Sequence, residues 1–267
     1  MSNLLTISDI TKMYESGKKK VVGVKDISFC VDEGDFVSII GPSGCGKSTL
    51  LRCIAGFEKT NKGVIFLNGK TVNKPGPDRF MIFQGLDQLF PWLNIKENLI
   101  FAMKSVAKRQ EDYDARAEHY LDLVGLKGFG SFYPYQLSGG MKQRASIARA
   151  LSVRPKILLM DEPFGSLDAF SRRAIHKMFL KVWEKTRVTV IFVTHDMEEA
   201  IDLSDKILVF SGGKLKGCIE NTLPRPRERE HPAYRSFFLK VSDFLDGECK
   251  ERSSSKELSA AGAKFAF

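Results

Sequence analysis

The chain is predicted to be an α/β protein: a sheet core interrupted by a helical insertion. Three observations predict it: strand-like apolar runs near both ends, a helical stretch between them, and a strand, helix, strand order in the second half. Residues 4–40 read as strands, since Ile27, Phe29 and Val31 alternate with polar neighbours and 36–40 is an apolar run entering a glycine turn. Residues 47–55 carry a helix pattern, 63–67 and 80–83 read as strands, and Asn68-Gly69 supplies a hairpin turn. From 86 to 153 the period becomes helical: Ala117, Tyr120, Leu121 and Val124 share one face, and Ile147, Ala148 and Leu151 form a second stripe. Strand runs return at 157–160 and 188–193. Between them lies a helix with Ile175, Met178, Phe179 and Val182 on one face, an order that implies parallel pairing. The runs 207–210 and 215–219 flank a Ser211-Gly212-Gly213-Lys214 hairpin turn. After Gly247 the periodicity ends and a mobile tail is expected; no internal repeat is found.

At 267 residues and 43% hydrophobic, the chain can bury a sizeable core. Its five cysteines, Cys30, Cys45, Cys53, Cys218 and Cys249, are scattered without a CxxC pair, which predicts a reducing compartment. The N-terminus lacks a charged start followed by a long apolar stretch, so no secretory signal is expected. The longest apolar runs fall far short of the roughly 18 residues that cross a bilayer. A formal charge of +9 fits an anionic partner, whether nucleotide, lipid surface or nucleic acid. Much of the excess sits at 18–20 and 225–229, and both runs are expected to be solvated faces.

Gly41-Pro42-Ser43-Gly44-Cys45-Gly46-Lys47-Ser48 fits GxxxxGK[ST], directly after a predicted strand and, with Thr49, opening a helix. Backbone N–H groups of such a turn, backed by the positive end of a helix, form an anion nest that bulky side chains would block. Lys47 can reach the outer phosphates and the Ser48 hydroxyl can ligate magnesium. The apolar strand 157–160 then ends in Asp161-Glu162, one carboxylate to hold the metal and one to orient or deprotonate a water. Together these motifs predict nucleotide hydrolysis.

Between them lies Leu137-Ser138-Gly139-Gly140-Met141-Lys142-Gln143-Arg144, which resembles the signature sequence of ATP-binding cassette proteins. Ser138 is a good N-cap, the two glycines allow close backbone approach, and the following helix points its positive end outward, a second anion site in one chain. The resemblance covers residues 4 to about 220 with the motifs in the family's order. It implies a P-loop NTPase (RecA-like) core over 1–85 and 154–220 with an antiparallel β subdomain. It also implies an α-helical signature subdomain over 86–153 and a partly disordered C-terminal extension over 221–267. In this family the signature meets the γ-phosphate held by the other subunit, implying two ATP molecules in a head-to-tail dimer, a symmetric closure that two half-sites per chain allow. By the same resemblance Tyr14 stacks on adenine, Gln84 senses the γ-phosphate and magnesium, Ser166-Leu167-Asp168 is the D-loop at the dimer interface, and His195 is the switch histidine. Glu162, His195 and Lys47 are then the catalytic residues, Ser48, Gln84 and Asp161 the metal residues, and ATP and Mg2+ the cofactors.

The stretch 85–93, containing Phe90 and Trp92, resembles ATPases of nitrate, sulfonate, taurine and bicarbonate importers, and Leu223-Pro224-Arg225-Pro226-Arg227 resembles their short tail motif. This implies an importer subunit peripheral to the cytoplasmic side of the inner membrane. Its partners would be a like ATPase subunit, identical or related, an integral-membrane permease contacted through Phe90 and Trp92, and a separate solute-binding protein. An exporter subunit is the nearest alternative. A cassette ATPase of DNA repair or translation is disfavoured, since no long coiled coil, zinc module or second cassette is present, and no nucleic-acid partner is expected.

Overall fold

The computed structural model describes residues 3–17, 19–106 and 112–245. Three five-residue runs, β3 (Phe36–Ile40), β7 (Ile157–Asp161) and β8 (Thr189–Val193), are buried along their whole length. Runs without polar alternation are buried on both faces, which places them in the middle of a parallel sheet. They lie there, in the order β10-β9-β3-β8-β7-β6, with β6 (Arg79–Ile82) and β9 (Lys206–Ser211) also parallel and β10 (Lys214–Glu220) returning antiparallel from its hairpin. The β7 to β8 connection runs through α5 (Ala169–Thr186), and the two strands pair in parallel from Ile157 opposite Thr189 to Asp161 opposite Val193.

A second sheet, all antiparallel, has the order β2-β1-β4-β5, from β1 (Asn3–Ser16), β2 (Lys19–Asp32), β4 (Lys62–Leu67) and β5 (Lys70–Thr71). α1 (Lys47–Ala55) packs between the sheets with Leu50, Leu51 and Ile54 fully buried. The insertion contains α2 (Ile95–Val106), α3 (Tyr113–Leu123) and α4 (Gly139–Ser152); Leu99, Leu121, Ala148 and Leu158 join one core that extends to Phe36, Phe179 and Trp183.

The chain beyond β10 is where expectation and structure part. The expected mobile tail after Gly247 lies outside the described residues. Residues 232–245 form a helix, α7, whose Tyr234, Phe237 and Val241 cover Ile40, Ile201, Ile207 and Val209. The run 225–229 is no solvated face. Arg225, Arg227 and Arg229 alternate with exposed Pro226 and Glu228 and turn inward onto α6 (Met197–Leu203). There Arg227 donates to the Ile201 and Asp202 carbonyls, Arg225 to that of Leu203, and Asn221 to those of Ile201 and Ser204. The last carbonyls of a helix lack internal partners and sit at its negative end, so cations are bound there with both charge and geometry in their favour. Sequence reasoning treated the run as charge alone, but its Arg-x-Arg-x-Arg alternation is the period of an extended strap with one inward face.

Candidate active site

The C-terminal ends of four parallel strands, β3, β6, β7 and β8, bring the site residues together. The 41–48 loop leaves β3 and enters α1 at Gly46, whose φ of 100° is open to glycine. A Cβ there would stand 2.1 Å from the Gly23 carbonyl oxygen, so this close approach of two backbones requires glycine. α1 begins without a side-chain cap and without an acid in its first turn, whereas α4, α5 and α6 are capped by Ser138, Asp168 and Asp196. An uncapped positive helix end beneath a glycine loop is a seat for an anion. Lys47, 5% exposed, donates to the carbonyls of Gly41 at 2.7 Å and Pro42 at 2.9 Å, a buried ammonium held over that loop.

The Ser48 hydroxyl donates to Asp161 Oδ1 at 2.9 Å. Burial pushes the Asp161 carboxyl above its ordinary range against that hydrogen bond, and the neighbouring Glu162 charge adds to the rise. A cation bound beside it would reverse that penalty. Among the described residues no group of three His, Cys, Asp or Glu converges as a metal cage. The chemistry that fits is magnesium, which takes few protein oxygens and completes its shell with phosphate and water.

Glu162 follows β7 with φ +43°, a left-handed conformation uncommon for a glutamate, held by its N–H on the Val193 carbonyl at 3.0 Å. The strained turn aims its carboxylate at two side chains from other elements. Gln84 Nε2 donates to Glu162 Oε2 at 3.4 Å, and His195 Nδ1 lies 3.2 Å from the same oxygen. Residues 84, 162 and 195, far apart in the chain, thus meet beside Ser48 and Asp161.

The remaining expected residues fall into two groups. Tyr14 reaches the same face, its hydroxyl 3.5 Å from Thr49 Oγ1 and its ring under Lys12 Nζ at 4.9 Å. The signature lies at the head of α4, where Ser138 accepts from the Met141 N–H at 3.3 Å. A Cβ on Gly139 would stand 2.9 Å from Leu86 Cδ1 and 3.5 Å from Leu167 Cδ2, so this glycine lets the segment after Gln84 and the D-loop close upon the signature. Asp168 caps α5, accepting from Ser171 and Phe170 N–H groups that hold its carboxyl below the ordinary range, while Ser166 is exposed.

The rings of Phe90 and Trp92 lie 5.4 Å apart and tilted by 36°, with Trp92 71% exposed and Phe90 packed on Phe101 and beneath Arg149. They flank, rather than line, a groove of about 610 Å³ whose walls are Phe57, Phe80, Phe83, Gln84, Asp87 and Arg149. Sequence reasoning missed Phe57 and Phe83, which face each other at 5.8 Å across 26 residues of chain that carry no shared pattern.

A mononucleotide-type sheet with this P-loop, carboxylate pair, glutamine and histidine defines an ATPase of the cassette class. Residues 24–165 match the family model for ABC transporters, and the chain belongs to that family. It is 42% identical over 92% of its length to the bicarbonate transport ATP-binding protein CmpC of Synechococcus elongatus, of which it spans only 38%. It is 41% identical to the aliphatic sulfonates import ATP-binding protein SsuB of Bacillus cereus, with 89% of this chain and 94% of that one covered. Among solved structures it resembles the dimeric, post-hydrolysis ATP-binding cassette MJ0796 bound to ADP and phosphate, at TM-score 0.72 and 30% identity, covering 84% of this chain and 99% of that one.

Proposed function

We propose that the chain is the ATP-hydrolysing subunit of an importer for a small anion of the nitrate, sulfonate or bicarbonate kind, working as a head-to-tail pair of cassettes against a separate permease. The observation that carries the chemistry is the meeting of Gln84 and His195 on one oxygen of Glu162, beside the Ser48 and Asp161 pair. The anion class rests on the relatives' names, and the pairing on the glycine loop at the head of α1 and the signature at the head of α4 lying in one chain and on the dimeric state of MJ0796.

In this reading the loop 41–48 and Lys47 would bind the phosphates, Tyr14 would stack on the base, and Ser48, Asp161 and Gln84 would hold Mg2+. Bound Mg2+ would neutralise charge on the phosphate oxygens. Glu162 takes a proton from the attacking water, and His195 hydrogen-bonds the γ-phosphate while keeping the Glu162 carboxylate in line. Leu137 to Met141 and the D-loop complete the partner's site across the interface. Phe90, Trp92 and the groove beside them form the surface for the permease, since exposed aromatics around a concavity are the usual anchors of a protein contact. No helix among the described residues is long and apolar enough to cross a membrane, and the peripheral position on the cytoplasmic side rests on the likeness to import ATP-binding subunits. A separate solute-binding protein would deliver the anion.

The test is to purify Glu162→Gln protein from its native membranes in mild detergent with Mg-ATP and identify what accompanies it. A second cassette and a multi-span permease are expected; soluble nucleic-acid proteins alone would overturn the transport assignment.

A further inference from the structure

Behind His195 lies a buried polar cluster that the chemistry above does not use. Glu199, on α6 and 5% exposed, accepts from the Thr194 hydroxyl at 2.5 Å through Oε2. Thr194, 2% exposed, directly precedes His195, and its hydroxyl also accepts the N–H of Asp196 at 3.0 Å. Both backbone neighbours of the histidine are therefore pinned by one side chain, which Glu199 in turn pins. On its other oxygen Glu199 meets His176 Nε2 at 3.2 Å and Arg172 Nε at 3.7 Å, both from α5. Arg172 lies 3.7 Å from Asp196 Oδ2, and its Nη2 donates to the carbonyl of Leu167, in the D-loop, at 2.9 Å. The Leu167 side chain closes on Gly139 of the signature. A continuous polar path thus joins the D-loop to the switch histidine within one chain.

We propose that Glu199 is a positioning residue for His195, and that Arg172 links it to the D-loop so that the histidine is seated when a second copy of the chain presses on that loop. Stability alone does not explain the cluster. Buried charges cost free energy that a well-packed apolar replacement avoids, so their use here points to orientation. Burial alone would raise the Glu199 carboxyl, but the close approach of His176, the Thr194 hydroxyl and the Arg172 charge outweigh it and hold the group below its ordinary range. Glu199 is therefore a fixed anion around which Thr194 and Arg172 are set.

The inference rests on the role given to His195, and the experiment separates the two. ATP hydrolysis by the full chain is measured at steady state and in single turnover for Glu199→Gln, His195→Ala and the double variant. Glu199→Gln keeps the shape and removes the charge, and should lower kcat about tenfold with KM for ATP within about twofold. In the His195→Ala background it should cause no further loss. An equal loss in both backgrounds would mean a structural role only and overturn the proposal, as would Glu199→Gln at wild-type kcat. His195→Ala at wild-type rate would instead overturn the role of His195 and this inference with it. Should Glu199→Gln fail to fold, Arg172→Lys, at a side chain 29% exposed, carries the same comparison through the D-loop end of the path.

Discussion

The head of α1 and the tail of α6 are both helix ends that face polar surroundings, and the chain treats them oppositely. At α1 the first-turn donors have no side-chain cap, the buried Lys47 stands over the loop, and the adjacent Asp161 is desolvated. At α6 the closing carbonyls are taken by Arg225, Arg227 and Asn221, and the acids Glu198 and Asp202 by Arg229. One end is left unsatisfied for a ligand and the other is satisfied from within the chain. Substitutions at the first should change chemistry more than stability, and substitutions at the second the reverse.

The largest effect tests the first half of that contrast. Glu162→Gln should reduce kcat by about 10³-fold, the scale expected for a positioned general base, while ATP affinity stays within a few-fold and the melting temperature is unchanged or raised. A variant that hydrolyses at wild-type rate would remove Glu162 from the mechanism. Its positive φ adds a second expectation, that the residue is held by its surroundings at some cost to the fold.

Asp161→Asn should behave likewise in activity, losing about a hundredfold or more, and should make the nucleotide-free protein more stable. The sign follows from the raised carboxyl: the fold disfavours the charge, so stability falls as pH rises from 3.8 through the raised value, and a neutral side chain of the same shape escapes that loss. Thermal unfolding at neutral pH decides it, and a lower melting temperature for Asp161→Asn would break the argument that this end of the molecule trades stability for function.

At the strap the order reverses. Arg227 keeps only 2% of its side chain exposed, and burial together with the Arg225 charge pushes its guanidinium down to about 10, so it is still a cation at neutral pH. Arg227→Ala removes the side-chain donor to the Asp202 carbonyl and leaves the Ile201 carbonyl to Asn221 and the Asp205 carboxylate to Arg225, and should cost about 2 kcal/mol by urea unfolding, with kcat for ATP changed less than about threefold. A large loss of kcat without loss of stability would place the strap in the catalytic machinery.

The same contrast explains what could be read in the sequence. Residues 41–48, 137–144 and 161–162 act through local spacing, so their chemistry is visible in consecutive letters, and β3, β7 and β8 show as unbroken apolar runs. Gln84, Tyr14 and His195 were nameable only through the order of motifs, because a lone side chain carries no period. The strap, the Glu199 cluster and the Phe57 and Phe83 walls depend on contacts across tens of residues. For these, charge and hydropathy suggest a solvated linker, while the structure shows that the alternation of Arg225, Arg227 and Arg229 was the informative feature.

The smallest effect is the sharpest check on the satisfied end. The Tyr234 hydroxyl, on α7, donates to Asp202 Oδ1 at 2.8 Å, tying α7 to α6 through the acid that Arg229 also binds. Tyr234→Phe keeps the ring in the core and removes one hydrogen bond, which should cost about 1 kcal/mol. Burial first, and then the Asp202 charge and hydrogen bond, raise the Tyr234 hydroxyl well above its ordinary 10.0. Above that pH the unfolded chain has released this proton and the folded chain still holds it, so the tyrosine's contribution falls as pH rises. The stability gap between wild type and Tyr234→Phe should therefore narrow above pH 10, read by denaturant unfolding across that range. A gap that widened instead would mean that the phenolate is accommodated beside Asp202 and that the strap is far more open to water than the arginines around it indicate.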